Sequence, residues 1–232
     1  MMNRNITSRI NKAMDELIPP FVRDWKIFSY PLLWIIFGKK TRQFMDFKDG
    51  FASMTNQQIV EYYQFLADAH IQRETDLNSE CVRFILDNIY GSKVLDIACG
   101  RGYLIKEIVN QNPIEVTGID FVIDLDAMSS INATFLQGAV EEIPFPDGYF
   151  DTVICAHTLE HVRDIPKAMK ELRRVCSGRL IIVLPRQRPY RYTFDLHVHF
   201  FPYKFSVMNA ISNPNGTCNL ISNDWVYLEN MV

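Results

Sequence analysis

The sequence predicts an α/β fold: a doubly wound, mostly parallel sheet with an antiparallel hairpin at its C-terminal end and an N-terminal helical cap. Three observations predict it. From about residue 91 onward, short β-rich apolar runs alternate with helix-spaced segments, the order of parallel strands joined by helical crossovers. Up to about Tyr90 the apolar spacing is helical throughout. Near the C-terminus two strand-like runs flank Asn223-Asp224, a hairpin signal. The expected division is a cap over residues 1–90 and a sheet domain over residues 91–232.

Each element has a local reason. Ile6, Ile10, Ala13, Met14, Leu17 and Ile18 recur at helical spacing over residues 6–18, and Pro19-Pro20 ends the run. Residues 21–37 predict a second helical stretch, bent or broken at Pro31. A third helix starts near Thr55, and a fourth follows the capping pair Asn78-Ser79. Strands are expected over residues 93–98, 114–120, 133–138, 150–156 and 179–185. The near-continuous apolar run "FDTVICA" suits a strand covered on both faces. A helix is expected over about residues 103–110 and another over 165–175, the latter with Pro166 in its first turn.

Composition narrows the function classes. A net charge of -3 makes no electrostatic case for nucleic-acid binding. Lys39, Lys40 and Arg42 are the nearest approach to a basic cluster, and three solvated charges explain them as well. The five cysteines are scattered without a C-x-x-C, which argues against a disulfide framework or structural zinc and for a reducing compartment. The first residues hold no apolar core of a secretory leader, and the longest apolar run, residues 30–37, is far below the roughly 20 residues of a membrane span. The expectation is a cytoplasmic protein whose contact with membranes, if any, is peripheral.

The stretch "KVLDIACGRGYLIKEI" carries the chemistry. It reads as strand, glycine turn and helix. No G-x-x-x-x-G-K-[ST] is present, and a dinucleotide fingerprint is incomplete because Ile105 stands where its third glycine belongs. Asp96 falls near the carboxyl end of the first strand, where ligands of open α/β sheets lie. A carboxylate there repels a pyrophosphate and suits a ligand with a cation, such as S-adenosylmethionine. Asp120 ends the second strand and can accept from both hydroxyls of a ribose.

Taken together, these motifs resemble the class I S-adenosylmethionine-dependent methyltransferases, especially their type 11 small-molecule group. The resemblance covers about residues 94–185 and the later "HFFPYKF". It rests on Asp96-Ile97-Ala98-Cys99-Gly100-Arg101-Gly102, on Asp120 in "GIDF", and on Gly138-Ala139-Val140-Glu141-Glu142-Ile143-Pro144-Phe145. It implies a Rossmann-like seven-stranded sheet and cofactor contacts from Asp96, Ala98, Cys99, Gly100, Gly102, Asp120, Phe121, Ala139, Val140, Glu141 and Ala156. Two positions depart from the family: Ala98 replaces a glycine, and Ala139 replaces the aspartate that usually meets the adenine amine. Arg73, just ahead of the sheet domain, has two readings, a partner for the cofactor's carboxylate or a surface salt bridge.

The histidines admit competing readings. "HTLEH", residues 157–161, matches a zinc-protease pattern, yet it follows directly on the fourth strand, where the resembled family carries "LEHV". No metal is expected. His157 is the leading candidate for a general base, with His161, Tyr190 and His199 behind it, should the acceptor be a hydroxyl. Tyr190, Arg191, His197 and His199 share an aromatic, histidine-rich loop and are the candidates for substrate contact; ordinary packing is the plain alternative. The expected reaction is methyl transfer to oxygen or nitrogen of a small molecule or glycan precursor. Quinone or lipid methylation at a membrane surface is the runner-up, and a silent cofactor-binding module a third reading. Oligomeric state is unreadable from the sequence.

Overall fold

The computed structural model of this chain describes residues 17–68, 74–111, 113–192 and 195–231. The helix expected over residues 6–18 lies outside them but for its last two positions, and Arg73 lies outside them too. The chain divides into two units. One joins the residues up to Arg73 with Gln187–Val198, and the other joins Glu74–Arg186 with His199–Val232. The division differs from a boundary at residue 90 for a physical reason. A helix over Ser79–Asp87 buries Cys81, Val82 and Ile85 in one cluster with Val94, Ile105 and Val116 of the sheet unit.

In the first unit, α1 (Pro20–Arg23) opens on the proline whose missing N–H costs nothing at a helix start. α2 (Lys26–Phe37) then runs through Pro31 as one continuous helix, so the chain is not interrupted there. The hydrogen bond removed by Pro31 falls on the carbonyl of Ile27, an exposed residue. The opposite flank is anchored by Leu33 and Phe37 in the core. A short 3-10 turn (Gly38–Lys40) leads to α3 (Thr41–Met45) and α4 (Phe47–Gly50). After a second 3-10 turn, α5 (Asn56–Asp68) begins at a capping box, in which Thr55 and Gln58 exchange side-chain to backbone hydrogen bonds. The core is aromatic: Phe37 stacks on Phe44 with centroids 4.0 Å apart, and Phe47 and Tyr62 meet edge to face.

The second unit starts with α6 (Ser79–Asp87), capped by the Asn78 side chain, which accepts from the Cys81 N–H. Then come β1 (Lys93–Ile97), α7 (Tyr103–Gln111), β2 (Glu115–Asp120), α8 (Leu125–Met128), β3 (Thr134–Gln137) and β4 (Phe150–Ala156). α9 (Ile165–Val175), β5 (Cys176–Pro185), α10 (Lys204–Ile211), β6 (Thr217–Ile221) and β7 (Asp224–Asn230) complete it. The seven strands order as β3-β2-β1-β4-β5-β7-β6. β1 to β5 are parallel, and β7 runs antiparallel to β5 and β6. Alternation along the strands splits the core over two faces: Leu95, Ile97 and Val153 join Ala168, Met169 and Leu172 of α9, whereas Val94 and Ile154 join α6 and α7. Asp164 caps α9 by accepting from the Lys167 N–H. The terminal hairpin turns at Ser222-Asn223, both with positive φ, one residue earlier than the expected Asn223-Asp224. All five cysteines are buried.

Candidate functional site

Strand order reverses between β1 and β4, and that switch point at the carboxyl ends of parallel strands is where such sheets hold ligands. The turn leaving β1 is built from left-handed residues: Ala98 (φ 58), Gly100 (φ 56) and Gly102 (φ 74). The Cys99 N–H donates to the Ile119 carbonyl (3.1 Å), the Gly102 N–H donates to that of Cys99 (2.9 Å), and α7 begins with Lys106 N–H bonding back to Gly102. A side chain on Gly102 would reach Ile131 Cδ1 at 3.0 Å, whereas nothing lies within 4 Å of the position a Cβ on Gly100 would take. Gly100 therefore serves the turn's shape and leaves open space above its backbone. Ala98 holds the same conformation with a Cβ, at a cost of about 1–2 kcal/mol.

Two acids stand at this edge. Asp96 is 3% exposed, and burial, followed by the charge of Asp120, raises its pKa to about 8. Asp120 Oδ2 accepts from the Gly100 N–H (2.8 Å) and Oδ1 from the Val122 N–H (3.0 Å). Burial raises the Asp120 pKa, and those backbone donors partly oppose the shift. Among the described residues no basic side chain pairs with either carboxylate, so the edge carries negative charge or bound protons with no cation of its own. Asp120 still has lone pairs to offer, since a carboxylate accepts about four hydrogen bonds.

The segment after β3 is tied to the same edge. The Gly138 N–H donates to the Asp120 carbonyl (3.0 Å), and Gln137 Nε2 donates to that of Phe121 (2.8 Å). Ala139 and Glu142 form an isolated bridge that turns Val140 inward, and Val140 is buried. The structure thus brings Asp96, Ala98, Cys99, Gly100, Gly102, Asp120, Phe121, Ala139, Val140 and Glu141 to the ends of β1, β2 and β3. The Ala139 methyl offers no hydrogen bond, so polar contact there falls to backbone groups. Burial, first, and then the two acids push the Cys99 thiol far up, which makes it inert.

At β4, Ala156 pairs with Val183 and the chain turns sharply at His157 (φ 49), whose N–H donates to the Val183 carbonyl (2.9 Å). Residues 157–161 form a turn rather than the helix that a zinc-protease pattern requires. The imidazole is largely buried between two carboxylates: Nδ1 lies 3.4 Å from Glu160 Oε1, and Nε2 lies 3.6 Å from Asp224 Oδ2. Burial by itself disfavours the imidazolium, but Asp224 and Glu160 outweigh it and raise the pKa to about 10. Asn78 Nδ2 donates to the same Asp224 oxygen (2.7 Å). Asp224 was not legible as a partner of His157, nor Asn78 as a partner of Asp224, because they come from distant segments that β7 and α6 carry in. His161 closes the turn, its N–H donating to the Thr158 carbonyl (2.9 Å).

The aromatic, histidine-rich loop is divided. His199 stays with the sheet unit, where its N–H donates to the Glu160 carbonyl (3.0 Å) and its Nε2 bonds the Val162 carbonyl (2.9 Å). Tyr190, Arg191 and His197 belong to the other unit. The Arg23 guanidinium lies over the Tyr190 ring at 4.0 Å and donates to the Pro189 carbonyl (2.7 Å). Arg191 N–H donates to Asp24, and His197 Nδ1 donates to Gln187 Oε1. Burial, partly offset by Asp195 and Asp24, lowers the Lys48 pKa to about 8, and the Lys48 ammonium donates to the Tyr190 carbonyl.

Residues 95–182 match the model of a methyltransferase domain family. A ubiquinone/menaquinone biosynthesis C-methyltransferase, UbiE, of Geobacter sp. (strain M21) is 32% identical over 121 residues, 47% of this chain and 52% of that protein. The chain spans about half the length of the curated relatives it matches. Among solved structures, the PH0226 protein of Pyrococcus horikoshii OT3 superposes with TM-score 0.58 at 21% identity, covering 74% of this chain and 99% of that one. A Burkholderia thailandensis 1,6-didemethyltoxoflavin-N1-methyltransferase, solved with bound 1,6-didemethyltoxoflavin and S-adenosylhomocysteine, gives TM-score 0.57 at 15% identity, covering 80% of this chain and 90% of that one. At such identities the solved structures establish the fold.

Proposed function

We propose that this chain, whose residues 95–182 match a methyltransferase domain family, is a class I S-adenosylmethionine-dependent methyltransferase that transfers a methyl group to a small molecule or glycan precursor. The observation that carries the reading is the pair Asp96 and Asp120, one buried and one half-buried carboxylate at the switch-point edge, with no cation set against them among the described residues. A ligand that brings an ammonium and a pair of vicinal hydroxyls fits that edge, and a pyrophosphate does not. Asp96 would hold the amino group and Asp120 the ribose hydroxyls. The turn from Ala98 to Gly102 would let backbone N–H groups approach, and Phe121, Ala139, Val140 and Glu141 would flank the adenine, with Ala156 at the end of β4. When bound, S-adenosylmethionine supplies a methyl group already activated by its sulfonium. The chain's own task is then to orient the acceptor and exclude water.

His157 enters this scheme as a fixed cation. An imidazole that carries its proton up to about pH 10 has no lone pair for an acceptor's proton at neutral pH. The site therefore suits an acceptor that arrives already nucleophilic, such as a neutral amine or an acidic hydroxyl, more than one that needs a strong base. Quinone or lipid methylation is the second reading, favoured by the 32% identical quinone C-methyltransferase and by the exposed apolar flank of α2.

Calorimetry with S-adenosylmethionine tests the premise that all these readings share. Binding is expected, and Asp120→Ala should weaken it by about tenfold or more through the lost charge-assisted hydrogen bonds. A folded protein that binds no cofactor overturns the proposal. A screen for transfer of labelled methyl to amine, phenol, sugar and quinone acceptors separates an enzyme from a silent binding module.

A further inference from the structure

α2 is apolar on every side. Ser29, Leu33 and Phe37 form its buried seam, yet Ile27, Trp34 and Ile35 on the other flank are 69%, 57% and 77% exposed. Ile27, Tyr30 and Trp34 follow one another at helical spacing and so share one strip of surface. Just before the helix, Phe21 and Trp25 are 78% and 58% exposed. A helix that is apolar all round needs a cover on both sides, and folded chains rarely leave so much large apolar surface in water. With 12 residues α2 is about 18 Å long, too short for a bilayer's hydrocarbon core of roughly 30 Å, and no helix among the described residues is long and apolar enough to cross a membrane.

Charge and residue type say what covers it. Between residues 17 and 45 the chain carries five basic residues (Arg23, Lys26, Lys39, Lys40, Arg42) against one acid (Asp24), although the whole chain is at -3. Arg23 is engaged inside the unit with Tyr190 and Pro189, and the Lys40 ammonium rests on the Phe65 ring. Lys26 stands at the start of α2, and Lys39, Lys40 and Arg42 stand just past its end, all on exposed positions. Tryptophan and tyrosine flanked by lysine is the composition that settles at the headgroup level of a bilayer, with apolar side chains below and ammonium groups against lipid phosphates. We propose that the exposed α1–α2 surface docks on an anionic lipid bilayer, lying in its interface without crossing it. The inference makes no use of the cofactor edge and goes beyond the methyltransferase reading, with which either kind of acceptor is compatible.

The test uses the full chain and vesicles of mixed phosphatidylglycerol and phosphatidylcholine, compared with phosphatidylcholine alone. The protein is expected to sediment with the anionic vesicles and its tryptophan emission to shift to the blue. Lys39→Gln and Lys40→Gln should each weaken binding about fivefold, the factor that corresponds to about 1 kcal/mol per surface cation. A Trp34→Ser, Ile35→Ser double variant should weaken it by about tenfold or more, and Leu220→Ser, an exposed apolar residue on β6, should not. Cofactor calorimetry on each variant is expected to match the parent, so failure of docking and failure of cofactor binding are read separately. The proposal is overturned by equal affinity for neutral and anionic vesicles, or by no vesicle binding. It is equally overturned if the parent sediments as a dimer that the Trp34→Ser, Ile35→Ser variant returns to monomer, since a second copy would then be the cover.

Discussion

Asp96 faces a second carboxylate and no cation among the described residues, so burial and like charge hold its proton to about pH 8. Pairing with an ammonium requires that proton to leave. Cofactor affinity is therefore expected to rise by up to about tenfold per pH unit between roughly pH 6 and roughly pH 8 and to level off above. Calorimetry over that range, in buffers of different protonation enthalpy, reads both the slope and the released proton, and Asp96→Asn should remove both. The free protein shows the opposite trend from this group. The folded chain keeps a proton that the unfolded chain, with a value of 3.8, has already lost, so the contribution to stability falls as pH rises from 3.8 to about 8. Two positions away, Ala98 holds a left-handed backbone (φ 58) that the resembled family gives to glycine. Ala98→Gly removes that strain but loosens the unfolded chain, for a net gain of about 0.5–1 kcal/mol, visible as a higher urea midpoint.

At the scale of elements, the His157 cluster is a product of strand pairing. β4, β5 and β7 lie side by side, Ala156 opposite Val183 and Pro185 opposite Asp224, so the start of an antiparallel strand reaches the end of a parallel one. Asn78, the cap of α6, completes the contact with Asp224. The sign of the pH effect follows from the raised value. The cluster stabilises the fold fully below 6.5, the ordinary histidine value, and loses its contribution as pH rises through about 10. Urea midpoints of the parent are expected to fall across that window, and those of His157→Gln to fall less, with no further fall from this cluster between about pH 8, where the Asp96 contribution ends, and about pH 10. His157→Ala should cost about 3–5 kcal/mol at neutral pH, because it removes the buried imidazole that lies between the carboxylates of Glu160 and Asp224. The hairpin shows how an element can be legible and its register not. Both strand runs were readable, but the turn lies at Ser222-Asn223 because Asp224 is already paired, with Ile221 on one side and Pro185 on the other.

For the whole molecule, the partition into units depends on contacts that no local pattern records. Residues 187–198 follow β5 in sequence, yet Tyr190, Arg191 and Leu196 are held by Arg23, Asp24 and the Phe44–Phe47 core of the first unit. Candidate substrate residues that sit together in the sequence are therefore split, with His199 bonded to the turn after β4 and Tyr190 stacked beneath Arg23. α2 behaves in the same way. Its apolar run was visible from the start, but a run that is apolar on every side does not reveal which flank stays outside. The packing of Leu33 and Phe37 decides that, and the vesicle experiment addresses the surface left over.

Although it did not reveal the short helices α3, α4 and α8 or α10, the sequence by itself determined the order of the strands, the helices α6, α7 and α9, the acid-and-glycine turn after β1 and the second acid after β2. Those features live within single βα units, where a period of two or of 3.6 and a few turn residues are enough. The tertiary structure alone decided the placement of His157 between Glu160 and Asp224, the assignment of residues 187–198 and the outward face of α2. Each of these depends on side chains that are far apart along the chain and meet only after the sheet has paired and the helices have packed.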